Sequence, residues 1–373
     1  MDALMLPLNW QKVRLGDIGK PCMCKRVMKH QTTRYGEIPF YKIGTFGNTA
    51  DAFISKKLFL EYKTKYSFPK KGDILISASG TIGRAVIYDG KPAYFQDSNI
   101  VWIDNDETLV KNDFLFYAYS NVKWNTEHTT ILRLYNDNFR NTLIPLPPLN
   151  EQSAIANILS ALDRYLCALD ALILKKESVK KALSFELLSQ RKRLKGFNQA
   201  WQRVRLGDIA NYLTSNLSAE QITQQGKIKV YDVNNFIGYT DTTFISDKPY
   251  ISIVKDGSVG RVRILPPKTN ILSTMGALIA NHRTTTEFLF YLLSNFDFKN
   301  FTSGSIIPHI YFKDYKEKTI FLPPLNEQIA IANILSALDN EIISLKNKKR
   351  QFENIKKALN HDLMSAKIRV LEK

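Results

Sequence analysis

Two segments of this chain carry apolar side chains at alternating spacings of three and four, which is typical of amphipathic helices. They cover residues 150–194 and 326–370, long enough for helices of about 45 residues, or roughly 67 Å. Because a lone helix of that length would expose its stripe, we expect the two to pack against each other, antiparallel if they are related by a two-fold axis. The predicted seam positions are Ile155, Ile158, Leu162, Tyr165, Leu169, Leu172, Val179 and Leu183 in the first helix and Ile331, Ile334, Leu338, Leu345, Phe352, Ile355 and Leu359 in the second.

The segments before each helix alternate short strand-like runs with turns. In both, a β-type run is followed by a glycine turn, at 80–83 or 257–260, and by a second β-type run. Phe-, Leu- and Tyr-rich runs at 113–121 and 287–295 predict short buried helices. The predicted fold class is therefore α+β: two mixed α/β domains in a pseudo-two-fold arrangement, separated by two long antiparallel coiled-coil helices.

The chain repeats itself. Residues 146–163 read LPPLNEQSAIANILSALD and residues 322–339 read LPPLNEQIAIANILSALD, and the blocks at 10–18 and 201–209 are nearly identical as well. Two matching frames around divergent inserts indicate duplication of one large unit, and two-fold symmetry is how proteins read two separated DNA half-sites. The predicted segments are a first domain at 1–145, a helix at 146–195, a second domain at 196–321 and a helix at 322–373.

Proline pairs end each insert, because proline disfavours α geometry in the residue before it. Asn150 and Asn326 follow them as predicted N-caps, and Glu151 and Glu327 stand near the positive end of the helix dipole.

The 373 residues include 52 Lys and Arg against 35 Asp and Glu, a formal net charge of +17, with an excess in both halves. This charge favours binding to nucleic acid, although a Lys-rich solvated surface would give the same count.

The three cysteines and five histidines lack the spacing of a metal site or a disulfide framework, so we expect no metal and reduced thiols. No signal peptide or membrane span is predicted, and the protein is expected to be cytoplasmic.

Four motifs occur in a fixed order: Trp-Gln-x-Val-Arg-Leu-Gly-Asp-Ile before each insert, the glycine turns inside it, Gly-Ser-Ile-Ile-Pro-His-Ile at 304–310, and Leu-Pro-Pro-Leu-Asn-Glu-Gln opening each helix. In this order they resemble the specificity (S) subunit of type I restriction-modification systems over essentially the whole chain. The first insert departs from this pattern, reading Thr-Thr-Ile-Leu-Arg-Leu-Tyr at 129–135, so a role tied to Pro308 and His309 does not transfer to it.

This resemblance implies that the inserts are target-recognition domains of a bacterial or archaeal protein, each reading one half of a bipartite site in double-stranded DNA. It implies that the helices are a spacer and a dock for two methyltransferase (M) subunits, which use S-adenosylmethionine, and for two restriction (R) subunits, which use ATP and Mg, where these are present. The chain itself is expected to bind no cofactor and to be non-catalytic. It lacks the Asn-Pro-Pro-Phe/Tyr and Asp-Pro-Pro-Tyr motifs of adenine methyltransferases and a Walker lysine.

Candidate DNA-binding residues lie on the turns and basic loops, where Asn, Gln and Arg can read base edges. The alternative for each is an ordinary turn or solvated strand position. The candidates are Ser79, Thr81, Arg84, Gln96, Asn99, Arg133, Tyr135, Arg140, Asn234, Asn235, Ser258, Arg261, Arg263, His309, Tyr311 and Lys313. The candidates for partner docking or for the spacer helices are Asn150, Glu151, Gln152, Leu162, Leu169, Asn326, Glu327, Gln328, Leu338 and Leu345.

The sequence therefore predicts a DNA-recognition and assembly subunit. Two alternatives stay open at this point: a structural coiled-coil adaptor that reads no DNA sequence, and an enzyme with an unrecognised nuclease or methyltransferase centre.

Overall fold

The computed structural model describes Pro7 and residues 9–128 and 132–370. Its contacts divide the chain into two units, Met1–Leu169 with Lys348–Lys373, and Asp170–Asn347. Each unit combines a sheet domain with parts of both long helices, so the four segment boundaries predicted from the sequence are not tested by this division. Residues 129–131 of the first insert's closing loop lie outside the described residues.

The first unit contains eleven short strands, four short helices and part of each of the two long helices among its described residues. The strands are β1 (Gln11–Arg14), β2 (Gly19–Met23), β3 (Ile38–Tyr41), β4 (Phe53–Ile54), β5 (Ile74–Ser77), β6 (Ala85–Ile87), β7 (Tyr94–Phe95), β8 (Ile100–Asn105), β9 (Glu127–His128), β10 (Leu132–Arg133) and β11 (Leu143–Leu146). The helices are α1 (Leu15–Ile18), α2 (Lys56–Lys65), α3 (Asn112–Tyr119), α4 (Asn136–Arg140) and the start of α5 (Leu149–Leu188), with a 3-10 turn at Lys29–Gln31.

Its main sheet is antiparallel in the order β2-β8-β5-β6, and a smaller sheet has the order β4-β3-β7. Every residue of β5 is buried, as expected for a central strand that reads as an unbroken hydrophobic run. The strands that enter and leave the domain, β1 and β11, pair with each other, with Gln11 opposite Leu146. This pairing closes the domain and delivers the chain to the start of α5.

The second unit repeats this plan. Its strands are β12 (Gln202–Arg205), β13 (Ala210–Thr214), β14 (Ile228–Tyr231), β15 (Phe236–Thr240), β16 (Tyr250–Val254), β17 (Val262–Leu265), β18 (Asn270–Ile271), β19 (Met275–Ala280), β20 (Thr302–Ser303), β21 (His309–Ile310) and β22 (Thr319–Leu322). Its helices are α6 (Thr286–Ser294), α7 (Phe312–Tyr315) and the start of α8 (Leu325–Met364), with 3-10 turns at Leu206–Asp208, Ala219–Gln221 and Lys299–Phe301.

The sheet orders of the second unit are β13-β19-β16-β17 and β15-β14-β18, the same topology as in the first. Strands β12 and β22 pair as β1 and β11 do. Helix α6 begins where the Thr285 hydroxyl accepts a hydrogen bond from the Phe288 N–H, an ordinary N-cap. The buried helices predicted at 113–121 and 287–295 are thus present as α3 and α6.

The long helices pair antiparallel inside each unit. In the first unit, the Tyr165 ring of α5 lies 4.7 Å from the Phe352 ring of α8, centroid to centroid. In the second, Lys176 of α5 pairs with Glu341 of α8 at 2.8 Å. The predicted α+β class, with two repeated sheet domains and paired long helices, is confirmed.

Several details of the helix prediction are wrong. Each helix has 40 residues, not 45, and begins one residue before the predicted caps, so Asn150 and Asn326 are not N-caps. Their side-chain oxygens accept from the next backbone N–H instead. Ile158, Leu172, Val179 and Ile355 are exposed, so they do not belong to a buried seam.

The seam is displaced because the helix ends pack on the sheet domains as well as on each other. Ile155, Ala156 and Leu159 join Leu363 and Met364 in the core of the first domain. In the second unit Leu187 joins residues of α8 in the corresponding core. Leu169 is buried as predicted, while Leu162, Leu338 and Leu345 are half-buried. No helix in the described part of the chain combines the length and apolarity needed to cross a membrane.

Candidate nucleic-acid interface

The glycine turn of the first unit is the tip of the β5–β6 hairpin. The Gly83 N–H donates to the Ser77 carbonyl at 2.9 Å, and the Ser77 N–H donates to the Arg84 carbonyl at 3.0 Å. These bonds close the loop and leave Thr81 and Arg84 exposed at its tip. A side chain in this position can reach a ligand without disturbing the buried strand below it.

A second segment of the same domain lies along this turn. The Gly80 N–H donates to the Leu132 carbonyl at 3.2 Å, and the Leu134 N–H donates to the Ala78 carbonyl at 2.9 Å. The backbone of Ser79 forms an isolated bridge with Arg133. This arrangement brings exposed Arg133 beside the turn.

The second unit builds the same arrangement with different side chains. The Gly260 N–H donates to the Val254 carbonyl, and the Gly257 N–H donates to the Pro308 carbonyl at 2.8 Å. Here the bridge joins Asp256 to His309, and the two side chains contact each other between Nδ1 and Oδ1 at 2.7 Å. Ser258 and Arg261 are exposed on this turn.

His309 extends into a short polar and aromatic row. The His309 and Tyr311 rings lie 6.5 Å apart and nearly parallel, and the Lys313 ammonium lies 5.4 Å from the centre of the Tyr311 ring. These side chains offer a cation, an aromatic face and ring nitrogens on one surface. Such a set can contact phosphates and base edges together.

A bulky aromatic ring supports each turn from behind. Gly83 has a φ of +81°, and a Cβ there would lie 2.1 Å from Trp124 Nε1. Gly260 has a φ of +79°, and a Cβ there would lie 2.6 Å from the Phe298 ring. Both positions therefore need glycine for conformation and for space.

The structure gathers most of the predicted residues of each unit at its turn. In the first unit these are Ser79, Thr81, Arg84, Asn99, Arg133 and, next to β10, Tyr135; in the second they are Ser258, Arg261, His309, Tyr311 and Lys313. Exposed Arg263 belongs to a neighbouring group, donating to the Asn234 carbonyl at 3.0 Å with its guanidinium over the Tyr231 ring.

Some predicted residues have internal partners. Asn99 Oδ1 accepts from the Ser79 hydroxyl at 2.7 Å, and Gln96 Oε1 accepts from the Ile43 N–H at 2.9 Å. The backbones of Asn234 and Asn235 donate to Asp232, which leaves both side chains exposed in their turn. Arg140 ends α4 beside Gly16 and is exposed.

Two apolar residues at the second interface were missed from the sequence. Ile306 is 92% exposed and Ile307 is 54% exposed, at the tip of the β20–β21 hairpin that bonds to the glycine turn. The signal was available, since Gly-Ser-Ile-Ile-Pro places two β-branched residues between turn formers. Isoleucine at a DNA surface makes apolar contacts, for which the thymine methyl group is the partner on base edges.

The helix openings are anchored rather than exposed. Glu151 is almost fully buried and accepts from Trp10 Nε1 at 3.0 Å, while the Arg369 guanidinium contacts both its oxygens at 2.7 and 3.1 Å. Gln152 bonds to the carbonyls of Leu109 and Pro147. We call the Trp10–Glu151–Arg369 set the first latch.

The second unit has an equivalent latch. Glu327 is fully buried, accepts from Trp201 Nε1 at 3.0 Å and pairs with Arg193 at 2.6 Å. Gln328 bonds to the Pro323 carbonyl and to Thr284. These four Glu and Gln side chains therefore join each helix to its domain, and of the residues predicted there only Asn150 and Asn326 are exposed.

Within the described ranges, His, Cys, Asp and Glu form no cluster of three or more that would suit a metal ion. Burial raises the pKa of the Cys24 thiol to about 12. The side chains exposed at the two turns can form hydrogen bonds, ion pairs and apolar contacts.

Comparison with known proteins agrees with this geometry. The sequence model of the type I restriction modification DNA specificity domain matches the chain twice, over residues 7–177 and 198–354. The chain belongs to the type I restriction-modification DNA specificity family. DNA target recognition is accordingly its function, and each half of the chain carries one copy of the specificity domain.

Relatives in this family share different parts of the chain. The type I restriction enzyme MjaVIII specificity subunit of Methanocaldococcus jannaschii is 26% identical over 414 residues, covering 99% of this chain and 95% of its own. A Haemophilus influenzae protein, named for the same class of subunit, is 64% identical over 148 residues, or 39% of this chain and 38% of its own. The crystal structure of a type I S subunit from M. genitalium has the same fold, with a TM-score of 0.64 at 20% identity, covering 97% of both chains.

Proposed function

We propose that this chain selects a bipartite DNA site, each sheet domain reading one half-site in double-stranded DNA, and that it brings methyltransferase subunits to that site. The observation that carries the proposal is the repetition of one interface with different side chains. Each unit presents a glycine turn bonded to a second segment, with arginine or histidine beside it. Family membership of both halves supports the same assignment.

The two interfaces offer distinct recognition chemistry. Arg133 in the first unit has the fork geometry that pairs with the O6 and N7 atoms of guanine. In the second unit, His309 Nε2 and the exposed Ile306 and Ile307 give a polar and an apolar contact. Lysine and arginine side chains around both turns would neutralise phosphates and supply affinity that depends on salt.

The long helices are proposed as spacer and dock for two M subunits, and for two R subunits where the host encodes them. Ile158, Leu172 and Ile343 are exposed along these helices, and a docked subunit would cover side chains of this kind. The chain is proposed to be non-catalytic and to bind no cofactor. S-adenosylmethionine would be used by the M subunits, ATP and Mg by the R subunits, in the cytoplasm where the DNA lies.

An insert exchange tests this function. Residues 20–144 are replaced by the first insert of another family member, and methylated adenines are mapped in a host that carries the chain with its M subunits. We expect one half of the methylated motif to change and the other half to persist. The reciprocal exchange of the second insert is the matched control and should change the opposite half.

Three outcomes contradict the proposal in different ways. A change in both halves from one exchange would show that the domains do not read independently. Binding that is blind to DNA sequence would favour a structural adaptor. Methyl transfer or DNA cleavage by the purified chain alone would show an enzyme.

A further inference from the structure

A buried tyrosine ties the first domain to both long helices. The Tyr117 hydroxyl, at the end of α3, donates to Asp163 Oδ2 of α5 at 2.7 Å. Asp163 Oδ1 accepts from Lys356 of α8, and the Lys356 ammonium also lies 5.6 Å from the centre of the Tyr117 ring. Burial, followed by the hydrogen bond to Asp163, raises the pKa of Tyr117, so it stays protonated and donates.

The same three residue types meet in the second unit. The Tyr291 hydroxyl of α6 donates to Asp339 Oδ2 of α8 at 2.8 Å, and Asp339 also pairs with Lys180 of α5. Lys180 lies 5.7 Å from the centre of the Tyr291 ring. The helices exchange roles, since α5 supplies the acid in the first unit and the lysine in the second. We call these two sets the triads.

Helices α3 and α6 also support the two glycine turns, 80–83 and 257–260, which we call the recognition turns. Helix α3 packs on β5 and β6, the two strands that carry the first turn, and α6 packs on β16 and β17. The aromatic rings behind the turns, Trp124 and Phe298, follow these same helices in the chain. Each short helix therefore packs on the strands that carry a recognition turn and supplies the tyrosine of a triad.

We propose that the two triads are positioning groups that set the angle of each recognition turn on its pair of helix segments, and thereby restrict the half-site spacing that the complex accepts. This inference rests on the proposed function. A hydrogen bond fixes direction as well as distance. The triad joins α3 or α6 to both long helices at once, so it constrains the position of the domain on them.

The test is Tyr117→Phe in the full chain, assembled with its methyltransferase subunits. Methyl transfer is measured on duplexes that keep both half-sites and carry the native spacer or a spacer one base pair shorter or longer. Losing a hydrogen bond to a charged acceptor is expected to raise the rate on altered spacers, relative to the native spacer, by about tenfold. The bases required in each half-site should stay the same, because no turn residue changes.

Tyr119→Phe is the matched control. Tyr119 lies on the same helix and is fully buried, but among the described residues its hydroxyl has no hydrogen-bond partner. Its removal should leave the spacer preference of the wild type. Tyr291→Phe should reproduce the relaxation through the second unit, and Lys356→Met tests the other arm of the first triad if Tyr117→Phe yields too little folded chain.

Equal loss of rate on all spacers in Tyr117→Phe would reduce the triad to ordinary stabilisation and overturn the inference. Relaxation in Tyr119→Phe of the same size would do so as well. If the wild-type complex methylates no bipartite site at all, the proposed function fails, and that result is distinct from an unchanged spacer preference.

Discussion

The two units hold their recognition turns with different chemistry on the same backbone. In the first, the Ser79 hydroxyl bonds to Asn99, a neutral pair, and in the second Asp256 bonds to His309, an acid and an imidazole. The latches and triads, by contrast, use the same residue types in both units. The groups that hold each domain on its helices are therefore the same in both units, whereas the groups at the glycine turns differ.

The largest expected effect comes from the latch. Removing one partner of a fully buried ion pair leaves the charge of the other partner uncompensated. This lowers the free energy of unfolding by about 3–5 kcal/mol. Since the Arg193 side chain is 28% exposed, Glu327→Ala is expected to lower the free energy of unfolding by about 2–3 kcal/mol. Glu151→Ala should match it closely, and urea denaturation followed by circular dichroism measures both.

Glu327→Gln is the control for this pair, because the amide oxygen can still accept from Trp201 while the charge is lost. We expect a smaller loss of stability than for alanine. A large difference between the Glu151 and Glu327 variants would show that the latches are not equivalent, despite their shared geometry.

The next largest effect is expected at the glycine turns, where each unit should affect its own half-site. His309→Ala should reduce discrimination at one base position of the second half-site by about 1–3 kcal/mol, and Arg133→Ala should do the same at the first half-site. Binding of the assembled complex to duplexes with single base changes measures each. If either variant alters discrimination in both half-sites, the two units do not read their half-sites separately.

A charge difference between the units predicts a change in salt dependence. Lys313 stands where the first unit has Asp137 in the repeat. If Lys313 contacts a phosphate, Lys313→Ala should reduce the slope of log affinity against log salt by about 0.9 and weaken binding similarly for all sequences. Asp137→Lys is the complementary variant, and a steeper slope is expected from it.

The smallest effect concerns a pair that both units share. Hydrogen bonding to Arg14 lowers the pKa of Asp17, and hydrogen bonding to Arg205 lowers that of Asp208, from an ordinary value of 3.8. A depressed acid pKa contributes stability above the unfolded value, which is lost as the pH falls through the folded value. Asp17→Asn and Asp208→Asn should each slightly lower the urea midpoint at neutral pH.

The deficit of both variants should shrink as the pH approaches the folded pKa values from above. Because both pairs are exposed, solvent screens them and the effect is small. A deficit that is constant with pH would assign the loss to the backbone hydrogen bonds of these aspartates rather than to their charge.

The sequence repeat was enough to predict the duplicated sheet domains, because identical frames fold alike and proline pairs mark where each helix begins. The buried helix seam was not predictable to the same degree. Ile158 has helical spacing but is exposed, because Ile155 and Leu159 turn toward the sheet core instead. The spacing of apolar residues predicts an apolar stripe along a helix. It does not show whether the other long helix or the sheet core covers that stripe.

The contacts that join distant parts of the chain were missed. Glu151 was interpreted as a residue favoured by the helix dipole, whereas it accepts from Trp10 and from Arg369, 218 positions away. The buried helix predicted at 113–121 accounts for the Tyr117 ring and not for the partner of its hydroxyl. Sequence spacing cannot show pairs that only the tertiary fold brings together, and the turn candidates were found because glycine and basic residues are local signals.

The rings beneath the two glycine turns bear on which substitutions the turns can tolerate. Thr81 and Ser258 sit between glycines, exposed and outside the hydrophobic clusters, while Trp124 and Phe298 hold the turns from beneath. Substitutions at these two exposed positions are therefore expected to change the free energy of unfolding little. Surface substitutions that leave buried contacts intact usually alter it by less than about 0.5 kcal/mol. The two turns can therefore change their exposed side chains and keep their backbone, because the ring beneath each turn is left in place.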